Sequence, residues 1–427
     1  MYFNKIYSLL FFFVVFLNSA FAQYDVPLYT TYTTAAARAE MYEQVIKNTI
    51  TRNFSIELTD STENYWEDAF SAMEVFNFKS PATFNKIKLA FDSFEKRSPS
   101  FQRALMEVVY TLYSTDFTSE VNRILSNTYH PKILAMSAEY VLRQNNDSST
   151  IEPIFRMLFE KFSDSVYKNP ILYSLLHRIH PDKKIISEKE LLTTLLDKTF
   201  LPGETVMYSL QRKNRNYPGM VIIRNTQGKI VTDDSGKIFN IPQLARSISN
   251  LPYYLTNGNT PQGIYRMYGF AVSMSHFIGP TANVQMGMPV ELDKKEFFGD
   301  SSINDSIWTI ENYRALLPDN LKNYFPLFGS YYAGEAGRTE IIAHGTTIDP
   351  ELYLGKSYYP LTPTQGCLCT KEIWNGKRQK SDQQKLINAL VKAGGGKGYA
   401  VVIEIDDKNE DVTLGDVQSE IENIDSK

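Results

Sequence analysis

Two short runs hold the residue types that acyl-transfer chemistry needs. Thr339-Glu-Ile-Ile-Ala-His344-Gly345-Thr346-Thr347 carries an imidazole followed by a glycine, and nineteen residues after Gly345 begins Thr364-Gln365-Gly366-Cys367-Leu368-Cys369. A thiolate is the attacking form of cysteine. A free thiol, with a pKa of about 8.5, is mostly protonated at neutral pH, and an adjacent imidazole lowers that value. A glycine just before the nucleophile lets the backbone approach a substrate carbonyl, and N–H groups at such a turn can hold an oxyanion. The plainer account of Cys367 and Cys369 is a pair of buried strand-end thiols, or a strained disulfide spanning one residue. That account leaves His344-Gly345 unexplained.

These are the only two cysteines in 427 residues, so no disulfide framework holds the fold. Apolar residues make up 43% of the chain and charged residues 22%, which excludes disorder as the dominant state. With 44 Lys plus Arg against 48 Asp plus Glu, the formal charge is −4, no footprint for nucleic acid. The acidic excess gathers in the tail: from Asp406 to Lys427 there are eight acids and two bases. The first residues have the layout of a secretory signal peptide: Lys5, an apolar run from Leu9 to Leu17, then Ala20-Phe21-Ala22. Residues 1–22 are therefore expected to be cleaved, leaving an exported protein, periplasmic or wall-associated, with no membrane span. The apolar run is shorter than the roughly 20 residues a bilayer needs.

The elements that must position the candidate residues fall into two textures. From about Asn64 to Leu196 apolar positions recur with a helical period, with breaks expected at Pro81, Pro99, Pro131, Pro153 and Pro170. Three segments beginning at Trp66, Phe101 and Ala135 look alike, each with a small residue at the matching place (Ala69, Ala104, Ala138), and a second amphipathic stretch follows each. Residues 23–198 thus read as an all-α array of helical hairpins, similar to HEAT-type repeats, or as a plain helical bundle; such arrays offer surfaces to a protein partner. His130, His177 and His180 lie here without a carboxylate or cysteine constellation and are expected to be structural or surface residues.

After Thr199 the texture changes to short β-branched runs broken by turns: Val206 to Gln211, Met220 to Arg224, Lys229 to Thr232, Gly263 to Tyr268, Thr339 to Ala343 and Tyr399 to Ile405. One helix, Asp382 to Lys392, is expected between Ser381 as its cap and Gly394-Gly395-Gly396 as its stop. The fold class is therefore multidomain α and β: a helical region over 23–198, a β-rich domain over 199–406 and an acidic tail over 407–427. Within that tail Leu414, Val417, Ile421 and Ile424 predict a short docking helix.

With His344-Gly345 and Thr364-x-Gly366-Cys367 in place, residues 200–406 resemble the L,D-transpeptidase (YkuD) family. Its signature is His-Gly, a variable loop, then Ser/Thr-x-Gly-Cys. Upstream, Asn259-Thr260-Pro261-Gln262-Gly263-Ile264-Tyr265 is similar to the family's Thr-Pro-x-Gly turn. The resemblance implies a β-rich catalytic domain acting on peptidoglycan stem peptides, with no metal or organic cofactor. Cys367 would be the nucleophile and His344 its base, oriented by the carbonyl of Gly345 or a neighbour. Thr364 would support the turn, and the amides of Gly366 and Cys367 would hold the oxyanion. Water in place of an acceptor amine would make the enzyme a carboxypeptidase or endopeptidase. A non-catalytic scaffold that retains the fold is a further alternative.

Three departures from the family pattern stand out. Cys369 occupies the place of an Arg or Asn, Gln365 that of a His, and the His-to-Cys loop is longer than usual. Tyr331, Tyr332 and Arg338 precede the His strand and, with Cys369, are candidates for lining a substrate groove; His276 receives no role.

Overall fold

A computed structural model describes residues 28–181 and 186–425, so the expected signal peptide lies outside the described residues. The chain enters beside the strand-rich half, where Thr30 N–H donates to Gly376 O at 2.7 Å. Helix α1 (Ala35–Gln44) runs on through a π-helical stretch (Val45–Thr51) into α2 (Arg52–Ser55). There follow α3 (Glu63–Val75), α4 (Pro81–Asp92), α5 (Pro99–Leu112), α6 (Thr118–Asn127), α7 (Pro131–Gln144), α8 (Ser148–Phe162), α9 (Pro170–Ile179) and α10 (Glu188–Leu196). Pro81, Pro99, Pro131 and Pro170 each begin a helix, where the missing N–H has no intrahelical partner to lose. Ser80 adds a capping box with Thr83.

Pro153 does not break the chain; it lies inside α8. It falls in the second turn, and the carbonyl it leaves without an N–H belongs to exposed Ser149, which water can serve. Helices α3, α5, α7 and α9 lie side by side in chain order, with Ala69, Ala104 and Ala138 buried along them.

The second half closes a barrel. Its strands are β1 (Val206–Arg212), β2 (Gly219–Arg224), β3 (Ile241–Leu244), β4 (Gly263–Ala271), β5 (Asn283–Gly287), β6 (Ala343–His344), β7 (Leu368–Thr370) and the long β10 (Lys397–Asp406), in the order β1-β10-β4-β5-β6-β7-β3-β2; β8 (Glu372–Asn375) and β9 (Lys377–Ser381) form a separate ribbon. Only β1–β10 and β6–β7 pair in parallel. Short helices α11 (Lys294–Phe298), α12 (Ile310–Arg314) and α13 (Gly329–Glu335) decorate the β5–β6 connection, and α14 (Asp382–Ala393) and α15 (Gln418–Asp425) follow β9 and β10. Helix α14 has its expected cap, Ser381 Oγ accepting from Gln384 N–H at 2.8 Å.

The alternation of β1 divides its side chains between two cores. Val206, Tyr208 and Leu210 pack with Leu191, Leu192, Leu195 and Leu196 of α10 and with Val417 and Ile421 of the tail. Met207 faces the other way, towards Leu386, Ile387 and Leu390 of α14. The expected docking helix of the tail is α15, with Val417 and Ile421 fully buried.

Two expected strands are not regular. Lys229 to Thr232 makes only isolated bridges, through Ile230 and Thr232. Thr339 to Ala343 shrinks to the two residues of β6, because Glu340 sits at φ 61°, which breaks an extended ladder.

The cores do not part at residue 198. Helix α10 belongs with the barrel, while Leu251, Tyr254 and Leu255, from the segment between β3 and β4, belong to the core of the helices. Three polar contacts latch that segment down: Tyr254 Oη donates to Glu139 Oε1 at 2.5 Å, Asn257 Nδ2 to Glu107 Oε1 at 2.7 Å, and Lys132 Nζ to Thr256 Oγ1 at 2.9 Å.

Candidate active site

Parallel pairing of β6 and β7 aligns Ala343 with Leu368 and His344 with Cys369, so Cys367 lies two residues ahead of the partner of His344. His344 is 4% exposed, and its Nδ1 lies 2.6 Å from Gly345 O. A carbonyl oxygen only accepts, so Nδ1 carries the proton and Nε2 keeps its lone pair. Burial lowers the pKa of the imidazole, the Gly345 hydrogen bond opposing it. His344 is therefore neutral at pH 7, the state a general base needs.

Gly345 has a steric reason to be glycine: a Cβ there would lie 2.3 Å from Glu372 Oε2. Burial pushes the Glu372 carboxyl up to about 7, against the hydrogen bond from Ser381 to Oε1, and its Oε2 has no hydrogen-bond partner among the described residues.

The turn that carries Cys367 is tied at three points. Thr364 Oγ1 donates to Cys367 O at 2.8 Å and accepts from Gly366 N–H at 3.1 Å. Thr260, 106 residues upstream, donates its hydroxyl to Gly366 O at 2.8 Å. Two of the separate sequence patterns thus meet at one turn, and the third, His344-Gly345, lies on the neighbouring strand. Thr364 bridges that turn, and in doing so it occupies the Gly366 N–H. Of the two amides expected to face an oxyanion, Cys367 N–H is the one with no hydrogen bond among the described residues. Gly366 adopts φ 115°, a conformation in which side chains are strained.

Cys367 is partly exposed and its thiol donates to Glu340 O at 3.3 Å rather than to an imidazole. Protein packed around the sulfur pushes its pKa up to about 11; the Ile342 N–H and the charge of Arg338 act in the opposite sense. Glu340 is held in its left-handed conformation by Glu291, whose Oε1 accepts the Glu340 N–H at 2.6 Å. Nothing in the sequence distinguishes Glu340, Glu291 or Glu372; their significance comes from what the fold brings against the turn.

No family model, curated protein or solved structure matches this chain.

The remaining candidates are interior. Cys369 is fully buried, 3.9 Å from Thr362 Oγ1, with its thiol pushed up to about 12 by burial; both cysteines are free thiols. Tyr331 is 6% exposed and packs on Tyr313, and Tyr332 joins Tyr173 and Phe325 where α13 meets α9. Arg338 is 7% exposed and faces the protein interior. None of Cys369, Tyr331 and Arg338 presents a surface to a groove.

The other histidines are accounted for by packing or exposure. His177 stacks on Phe325 at 3.6 Å, His180 lies against Phe155, and His130 is exposed; His276 stacks on Tyr32 beside Thr347. Among the described residues no cluster of His, Cys, Asp and Glu could hold a metal ion, and no helix is long and apolar enough to cross a membrane.

Proposed function

We propose that the protein is an exported cysteine acyltransferase of the L,D-transpeptidase (YkuD) kind, acting on peptidoglycan stem peptides for cell-wall cross-linking or remodelling. In this reading the β-rich half is the catalytic domain and the HEAT-like helices orient it on the wall or on a protein partner. The observation that carries the reading is the joining of Thr260 to Thr364-x-Gly366-Cys367 at one turn, next to the strand that carries His344.

The chemistry follows from the groups present. Neutral His344 accepts the thiol proton, and the sulfur bonds to the carbonyl carbon of the third stem residue while Cys367 N–H faces the developing oxyanion. The amide C–N bond then breaks, and the leaving D-amino acid takes the proton from His344. An acceptor amine attacks the thioester, a new amide forms, and the proton it releases returns to the sulfur; with water in that role, the product is a free acid.

Purified protein should release D-alanine from tetrapeptide muropeptides and be acylated at Cys367 by a carbapenem. Absence of both overturns the reading.

The hydrogen bond from the resting thiol to Glu340 O, away from any base, favours a second reading in which the fold is a wall scaffold without turnover. Cells lacking the protein decide between them: if Cys367→Ala restores the wild-type muropeptide profile, the scaffold stands.

A further inference from the structure

Arg338 is a buried cation whose ligands are all main-chain. Its Nη1 donates to Tyr253 O and, at 2.8 Å, to Asn259 O; its Nη2 donates to Gly258 O at 2.8 Å. No carboxylate lies within ion-pairing distance of it among the described residues. Burying an arginine among carbonyls alone is costly, and a merely structural strut would be cheaper as a neutral side chain.

The place where the charge is held accounts for its presence. A Cβ on Gly366 would come within 2.2 Å of Arg338 Nη2 and 2.7 Å of Gly258 O, so the guanidinium lies directly against the residue before the nucleophile. The three carbonyls, of Tyr253, Gly258 and Asn259, come from the segment 251–259, whose Leu251, Tyr254 and Leu255 are sunk in the helical core.

We propose that Arg338 is a positioning residue for Cys367: its guanidinium, fixed under Gly366 by three carbonyls, holds the nucleophile turn and keeps a positive charge behind the sulfur. This rests on Cys367 being the nucleophile of the proposed transfer. The charge has work to do there, because the neighbouring groups oppose ionisation. Glu340 and Glu291 disfavour the thiolate, His344 on the adjacent strand is neutral, and Arg338 is the cation that favours it. Around the guanidinium itself stand Tyr265, Glu107, Glu291 and the cation Lys132; Glu107 is already ion-paired with Arg103, and burial disfavours the anionic form of both carboxyls. The helical region thereby acts on the site through a definite chain: helix core, segment 251–259, Arg338, Gly366, Cys367.

The test uses the full mature chain and reads thiolate chemistry, which needs no turnover. The rate of Cys367 alkylation by iodoacetamide is measured between pH 7 and 9.5, with fragment-ion mass spectrometry separating Cys367 from Cys369. In this range the logarithm of the rate rises with pH, and its displacement reads the thiolate fraction. Arg338→Gln and Arg338→Met, each checked for folding by circular dichroism, should lower the rate at a given pH about ten-fold, equivalent to one pH unit. Arg338→Lys, which keeps the charge, should stay within about three-fold of wild type.

Folded neutral variants with an unmoved line overturn the proposal, as does an Arg338→Lys line displaced as far as theirs. If neither neutral variant folds and Arg338→Lys leaves the line in place, Arg338 serves the fold alone and the proposal also fails. A displaced line in a protein that turns over no muropeptide would instead keep Arg338 in its role and refute the transpeptidase reading.

Discussion

Replacing Gly366 by alanine separates two costs that the structure superposes at the Cys367 turn. One is backbone: φ 115° lies where side chains are rarely accommodated, which costs about 1–3 kcal/mol. The other is contact: the new Cβ would meet Arg338 Nη2 at 2.2 Å and Gly258 O at 2.7 Å, and because the guanidinium is itself clamped by carbonyls it cannot swing aside. Overpacking of this kind costs about 1–3 kcal/mol. Gly366→Ala should therefore lose roughly 2–6 kcal/mol. Gly395 supplies the control, since at φ 110° it has the same backbone problem with nothing within 4 Å of an added Cβ. Gly395→Ala should lose only the backbone part. Urea unfolding followed by tryptophan fluorescence measures both, with Trp308 and Trp374 reporting from the strand-rich half and Trp66 from the helices. Equal losses at the two glycines would refute the contact with Arg338 and with it the account of why this turn needs glycine.

Glu372 gives a pH prediction with a definite sign. Its carboxyl is raised from an ordinary value near 4.5 to about 7, so the folded protein binds the proton more tightly than the unfolded chain, and stability is lost as pH rises from about 4.5 to 7. The loss amounts to about 3 kcal/mol, and Glu372→Gln should remove it, flattening urea midpoints between pH 5 and 8. Gly345→Ala drives a methyl into that same carboxyl and should destabilise by about 1–3 kcal/mol while displacing His344, seen as lower D-alanine release. Cys367→Ala should abolish carbapenem acylation. Cys369→Ala should leave acylation intact and cost about 1 kcal/mol in a urea melt, because that thiol is fully buried and makes only weak sulfur hydrogen bonds, to Thr362 and Thr370, among the described residues.

Much of the barrel is legible in the sequence, because β1, β2, β4 and β10 are runs of four or more β-branched or alternating residues with turn signals at their ends. Strand β5 escapes the same reading. Asn283 and Gln285 are buried and hydrogen-bonded to each other, so a covered face of the strand looks polar, while Val284 and Met286 pack into the apolar core with Met207 and Met267. Strand β6 is expected as the longer run Thr339 to Ala343, and its ends are misplaced because a left-handed glutamate, which no periodicity reveals, interrupts the ladder. At the site, residue type and order point to Cys367, His344, Thr364 and Thr260, whereas Arg338, Glu291 and Glu372 matter through contacts across large sequence separations. Arg338 shows the distinction best. Its position near His344 suggested a groove, but three carbonyls from residues 253–259 draw it inside.

The resting electrostatics bear on how such a site would work. With the thiol near 11 and the imidazole below its ordinary value, the proton stays on sulfur, and Cys367 and His344 are both neutral at rest. A preformed thiolate would react with any electrophile that reached this partly exposed sulfur; a neutral thiol bonded to Glu340 O does not. Attack then requires the sulfur to leave Glu340 O and to pass its proton to His344 as the carbonyl carbon arrives, so the cost of charge separation is met only when an oxyanion can form opposite Cys367 N–H. Glu340 is well placed to act as the catch, since Glu291 holds its left-handed backbone and thereby aims its carbonyl at the thiol. Glu291→Ala would release that backbone, and the expected result is faster iodoacetamide alkylation of Cys367 at pH 8 without any gain in D-alanine release. An unchanged alkylation rate would remove Glu340 from the control of the nucleophile and leave its strained conformation as a matter of chain geometry alone.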